Sequence, residues 1–340
     1  MRILSKLALT GAVFFAFSQP GVASASDSIS YIPQIHGTLR PRLEVSTDDN
    51  AYRFQLRNAR VSLNGMIAPQ IDYFMQADFC DRGSVKFLDG WIRMKIVNGL
   101  KLQAGQFRMP FGVDAFRAPH NYIFGNRSFM GKQMFNYRAV GAKLSYTLPS
   151  RPLTIEAGAF NPKTIQDHTP WNTTVAYSAK ATYQVHNVTV AAGYASISPD
   201  SVRLNALDGA ITWASGRWTA EAEYMHMHYC NRDRKGSHAY NAWIDYRMPV
   251  RAGIFNRLSF QGRFDGLTAF SNGKRTKEGL LTVNEQPRNR VTVGSTLTSQ
   301  PVKNIYMDLR LDYEKYFYHS GFKPSTDNAD KILLELVLRF

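Results

Sequence analysis

Apolar and polar residues alternate with a period of two along most of this chain. Ile71, Tyr73, Met75, Ala77 and Phe79 make an apolar face against Asp72, Gln76 and Asp78. Leu88, Gly90, Ile92, Met94 and Ile96 oppose Asp89, Arg93 and Lys95, and Val140, Ala142, Leu144, Tyr146 and Leu148 oppose Lys143 and Ser145. Ile305, Met307, Leu309, Leu311 and Tyr313 repeat the pattern against Asp308, Arg310, Asp312 and Glu314. Such alternation predicts strands with one apolar face. It marks about sixteen segments, at 34–45, 52–66, 70–79, 86–97, 100–107, 137–148, 152–160, 174–185, 187–196, 203–214, 216–226, 238–248, 255–264, 288–299, 303–316 and 330–340.

A soluble sandwich also alternates. Three features favour a transmembrane antiparallel β-barrel, an all-β fold. The segments are about ten residues long, as tilted membrane strands need to be. Aromatic residues gather near their ends, at Tyr52, Tyr146, Trp218, Tyr224, Tyr246 and Tyr313, as interfacial girdles do. The faces opposite the apolar stripes carry charges of both signs, which suits a wet lumen. An even strand count close to sixteen leaves an aqueous channel.

The connections separate into two sets. Pro69-Gln70, Asn98-Gly99, Pro149-Ser150-Arg151, His186-Asn187 and Ser215-Gly216 read as tight turns. The alternate links 161–173, 227–237, 265–287 and 317–329 are long, and 108–136 is the third long-side link. Short turns on one side and long loops on the other are the outer-membrane pattern. In the second strand, Phe54 and Leu56 share parity with Arg60 while Val61 and Leu63 share it with Arg57, and a bulge near Asn58 reconciles them. In the last strand, Ile332, Leu334, Leu336, Leu338 and Phe340 share one face, opposite Glu335 and Arg339. The terminal Phe340 is the expected barrel assembly signal, read by the outer-membrane insertion machinery.

The ends and the composition narrow the class. Arg2 and Lys6 precede an apolar run from Leu7 to Phe17 and the small residues Ala23-Ser24-Ala25, which reads as a signal peptide over 1–25. Residues 26–340 then form one barrel domain, with no linker dividing them. The formal net charge of +15 favours anionic partners, and export argues against nucleic acid. The two cysteines, Cys80 and Cys230, fall on opposite walls of such a barrel and are expected to stay unpaired.

The candidate chemistry lies in Gly105–Arg138, between two alternating strands. Arg108, Arg117, Arg127, Lys132 and Arg138 stand there against one acid, Asp114. A connection this long is usually functional. Folded inward as the third external loop, it would offer guanidinium forks to oxyanions at a constriction. Pairing with Asp72, Asp78 and Asp89 would instead pin the loop and cancel its field. Lumen-facing basic residues by parity include Arg93, Lys95, Lys101, Lys143, Arg263 and Arg310, within a wall of roughly balanced charge.

His226 and His228 share a strand face, but no third ligand is evident, so no metal site and no cofactor are expected. The basic stretches Asn231–Gly236 and Lys274–Lys277 are expected on external loops, in reach of lipopolysaccharide. No nucleophile elbow or placed Ser/His pair is present, so an enzyme is not expected.

Specific motifs carry a resemblance. Phe54–Gly65 (FQLRNARVSLNG), Tyr73–Phe79 (YFMQADF), Asp89-Gly90-Trp91-Ile92 and Leu102–Gly112 (LQAGQFRMPFG) resemble the phosphate-selective porins O and P. The resemblance implies a sixteen-stranded outer-membrane channel in a Gram-negative bacterium, usually a homotrimer, with its third external loop in the lumen. It places Arg108 at the basic position of the loop-entry motif. The expectation is an outer-membrane porin passing small anions, phosphate among them, by passive diffusion. A general non-selective porin and a non-conducting adhesin or structural barrel are the alternatives.

Overall fold

The computed structural model describes residues 31–81, 84–162, 171–231, 234–318 and 322–340. The leader read over residues 1–25 lies outside the described residues. Sixteen strands follow in chain order: β1 (Gln34–Ser46), β2 (Tyr52–Ala68), β3 (Ile71–Asp81), β4 (Ser84–Val97), β5 (Leu100–Arg108), β6 (Arg138–Thr147), β7 (Leu153–Phe160) and β8 (Ala176–Val185). Then come β9 (Val188–Ile197), β10 (Leu204–Ser215), β11 (Trp218–Tyr229), β12 (Ser237–Ala252), β13 (Phe255–Leu267), β14 (Arg288–Val302), β15 (Ile305–Tyr318) and β16 (Lys331–Arg339). Each pairs antiparallel with its sequence neighbours, and β1 pairs with β16 to close the barrel. Closure leaves no unpaired edge, which is what a sheet in lipid requires.

The period of two becomes inside and outside. On β16, Leu333, Glu335 and Val337 are buried, whereas Ile332, Leu334 and Leu336 face outward. Phe340 closes the seam: its backbone exchanges hydrogen bonds with Gly37, and its ring lies where a side chain at 37 would stand. Tyr52, Tyr146, Trp218, Tyr224 and Tyr313 are all exposed on the outer face, as girdle residues must be. The bulge falls where parity demands it. Between Leu39↔Ala59 and Pro41↔Leu56, Arg57 and Asn58 of β2 oppose Arg40 alone on β1.

The tight turns carry the left-handed backbone their spacing needs, at Gly99 (φ 81°), His186 (φ 50°) and Gly216 (φ 58°). Cys80 on β3 and Cys230 after β11 are both free.

The interior differs from the wet lumen that the alternation suggests. Part of it is dry. Met109, Phe111, Phe129, Met130, Met134 and Phe135 pack with inward residues of β9 to β13, among them Ile197, Leu204, Met225, Met227 and Leu267, in one buried apolar cluster. Apolar residues thus occupy inward positions along this arc, because a segment from within the barrel covers them.

Candidate functional site

The segment between β5 and β6 fills that interior. It holds two 3₁₀ turns, Asp114–Phe116 and Pro119–Asn121, and one π turn, Met130–Met134. Arg108 and Arg138 are register partners at its base. At Gly112 the chain takes φ 74°, and a β-carbon there would lie 3.1 Å from Glu223 Oε1. The kink presents the next two amides, so that Val113 and Asp114 N–H donate to the Glu223 carboxylate at 2.6 and 2.9 Å. The glycine of the MPFG motif therefore serves an anchor on β11, across the barrel.

Further anchors follow the same rule. Wall carboxylates accept loop amides: Gly125 N–H donates to Asp312 at 2.6 Å and Phe129 N–H to Asp265 at 3.0 Å. Wall cations donate to loop carbonyls: Arg40 to Gly125 (2.7 Å), Arg263 to Asn126 (2.7 Å), Arg290 to Arg127 (2.7 Å), Arg310 to Tyr122 (2.8 Å) and Lys180 to Gly112. These partners lie on β1, β8, β11, β13, β14 and β15, so the segment spans the interior. Each bond has a charged member, the stronger class of hydrogen bond.

Between this segment and strands β1 to β6 lies a cavity of about 350 Å³. Arg40, Arg57, Arg60, Lys86, Arg108, Arg127, Lys132 and Arg138 line it, with Asp78 as the one carboxylate among the described residues and Tyr122, Leu88 and Cys80 between them. Some of these cations are compensated. Arg40 pairs with Glu335 (2.6 Å), Arg60 with Asp78 (2.8 Å), and Arg138 grips Asp89 with two bonds of 2.9 and 3.1 Å. Others meet no carboxylate among the described residues. Arg108 donates to the carbonyls of Ala115 and Arg117, and Arg127 to the carbonyl of Asp114 (3.3 Å). The Nε atoms of both are buried without a partner. Arg57 and Lys132 make no ion pair there.

Two loop groups register the field of this slot. Burial alone would raise the Tyr122 phenol, but Arg127, Arg108, Arg60 and Arg40 outweigh it and bring the group down to about 8. Enclosure within the barrel, followed by the charges of Arg57 and Arg290, lowers the Lys132 ammonium to about 8. Tyr122 lies at the focus, with the guanidinium carbons of Arg40 at 4.9 Å and Arg127 at 5.7 Å from its ring centre.

Of the five loop cations expected at a constriction, the fold brings Arg108, Arg127, Lys132 and Arg138 together. Arg117 is elsewhere, bound to Asp114 at 3.1 Å and to Glu221 of β11, beneath the Trp243 ring. The other lumen cations are mostly paired: Arg93 with Asp72, Lys143 with Glu156, Arg263 with Asp265 and Glu314, and Arg310 with Glu335. Lys95 and Lys101 face each other across β4 and β5 near the Asn98-Gly99 turn. Asp72 and Asp78, which in the alternative reading would pin the loop, serve wall arginines instead, and of the three only Asp89 takes a loop-end residue among the described residues. Arg40, Arg57, Arg60 and Lys86 were not singled out from the sequence. The available signal was the density of arginine across the β1–β2 hairpin.

The fold has been seen before. An anion-selective porin from Comamonas acidovorans superposes with a TM-score of 0.61 at 10% identity, covering 91% of this chain and 98% of that one. OmpT of Vibrio cholerae in its trimer form gives 0.58 at 11% (91% and 98%), and OmpF of Salmonella typhi with daunomycin gives 0.57 at 12% (91% and 97%). No curated protein matches the chain. The family described as beta-barrel porin-2, OmpL-like, matches residues 89–340. The chain belongs to that family. It is thus a porin-type barrel of the Gram-negative outer membrane. The resemblance to the porins O and P pointed to the same class, while the family matched is the OmpL-like one.

Proposed function

We propose that this porin passes small anions by passive diffusion and selects them in the slot between its third long-side loop and strands β1 to β6. One observation carries the reading: eight basic side chains and one acid line a 350 Å³ cavity, and Arg57, Arg108, Arg127 and Lys132 have no carboxylate partner among the described residues. A pore selects at its narrowest charged ring, so a carboxylate-poor slot outweighs a wall that is otherwise balanced. Phosphate is the solute we place first, because guanidinium forks match its oxygens. The reading is of a channel and not of an enzyme. By analogy with the trimer form of OmpT, we extend it to a homotrimer.

Reversal potentials of the refolded barrel in planar bilayers, under a KCl gradient and with phosphate titrated against chloride, test the proposal. An anion-favouring potential with block by phosphate supports it. Conductance without selectivity makes the protein a general porin. A folded barrel without conductance makes it a structural or adhesive one.

A further inference from the structure

The cations of the slot fall into two groups. Arg57 of β2 and Lys132 of the π turn are exposed and line its open part. Arg57 is the charge that acts most strongly on Lys132, ahead of Arg290, Glu314 and Arg42. The second group is more enclosed. Arg108 of β5 and Arg127 are partly buried, and the strongest charges acting on Arg108 are those of Arg138 and Arg127. Arg127 and Arg108 also lead the charges that act on Tyr122, followed by Arg60 and Arg40. One slot thus holds two cation pairs, an open one and an enclosed one.

The size and the remaining lining suit a solute that reaches both. A volume of 350 Å³ lies within the range of about 300–1,000 Å³ that sites for small organic molecules occupy. A bare oxyanion seated at one pair leaves most of that space, and the other pair, unused. Leu88, Cys80 and the ring of Tyr122 also line the slot and offer apolar surface to a carbon skeleton. A solute with an anionic group at each end meets both pairs at once. Its second contact is then intramolecular, and it is strongest when the spacer matches the span between the pairs.

On the anion-selective reading of the slot, we propose that its preferred solutes are small organic dianions with an anionic group at each end. One end meets Arg57 and Lys132, and the other meets Arg108 and Arg127. Fumarate and maleate test this, because these isomeric dicarboxylates carry the same charges at different spacings. Each is titrated against the single-channel current of the refolded full chain at pH 7, where both are predominantly dianions, beside acetate and inorganic phosphate. Fumarate, with its carboxylates trans, should block at a concentration at least about tenfold below that of maleate, acetate or phosphate. Arg57→Gln and Arg108→Gln should each bring fumarate to the level of maleate, and residual conductance reports that each variant has folded. Block by maleate or phosphate at or below the fumarate concentration overturns the two-ended solute and leaves the anion slot standing. A parent channel without an anion-favouring reversal potential overturns the slot itself, and this solute class with it.

Discussion

Replacing Arg127 with glutamate turns one of the slot's cations into an anion, and the size of the effect follows from the cavity. A volume of 350 Å³ is that of a sphere about 4.4 Å in radius, which puts a central ion about 6 Å from each lining charge. A unit charge at that distance contributes about 0.7 kcal/mol in a water-like dielectric and about 3 kcal/mol at an effective dielectric of 20. Charge reversal changes two units, so even the water-like limit disfavours an anion by about 1.4 kcal/mol, a factor of ten. A cation gains by the same amount. The Debye length at 0.15 M salt is about 8 Å, so screening removes only part of this.

The expected outcome of Arg127→Glu is a fall of at least about tenfold in the chloride-to-potassium permeability ratio in low salt. Arg127→Lys should leave the ratio nearly unchanged. Reversal potentials in a KCl gradient measure both. If Arg127→Glu and Arg57→Glu both leave the reversal potential where it was, solutes bypass the slot and the reasoning fails.

Other perturbations separate anchoring from selection. Arg117→Gln strands buried Glu221 without its partner at a cost of about 3–5 kcal/mol; thermal unfolding should come earlier and channel noise rise, with the sign of selectivity unchanged. Phe135→Ala empties a site at 1% exposure beside Phe111, 4.2 Å away between ring centres, and should cost about 3–5 kcal/mol in a denaturant titration. Between pH 7 and 9 Lys132 loses its positive charge and Tyr122 gains a negative one, because both titrate near 8. Anion selectivity should therefore decline across that window, and the Lys132→Met, Tyr122→Phe double variant should flatten the profile. Cys80 lines the slot and is a native reporter. In a Cys230→Ser background an anionic thiol reagent should label it faster than a cationic one of equal size, and equal rates would count against a positive slot.

The strands were legible because a sheet in lipid has one admissible pattern. Apolar residues must face the chains of the bilayer and the backbone must pair completely, so alternation located all sixteen strands to within a few residues. The bulge was legible for the same reason, since two parity frames in one strand need an extra residue between them. Loop chemistry obeys no such period. Arg117 and Arg127 have equal standing in the sequence, yet one is bound between two carboxylates and the other faces the slot. That difference depends on where Glu221 of β11 falls relative to a turn more than a hundred positions earlier. The wall arginines of β1 and β2 were hidden differently. Parity assigns them to the lumen, but nothing local distinguishes Arg57 from paired Arg60. The dry interior was missed because inward apolar residues on β9 to β11 gain meaning only from the Met and Phe side chains of a distant loop.

The way in which the loop is held decides whether its charges can act. Had its arginines gripped the wall carboxylates, fixation and selectivity would have competed for the same side chains. Instead Glu223, Asp265 and Asp312 bind its amides, and Arg40, Arg263, Arg290 and Arg310 bind its carbonyls, so the main chain is secured by charges on the wall. Met109, Phe111, Met130, Met134 and Phe135 add an apolar wedge. Among the described residues only Arg117 and Arg138 of the loop cations form ion pairs with a carboxylate. Arg108 rests on main-chain carbonyls, which orient a guanidinium without cancelling its charge, while Arg127 rests on the Asp114 carbonyl and shares its field with the Asp114 carboxylate. A strut fastened in this way can be mutated at its slot-facing cations without coming loose. Charge reversal at Lys132, which lines the slot, should therefore change selectivity while leaving the unfolding temperature nearly unchanged, whereas Arg117→Gln should do the opposite.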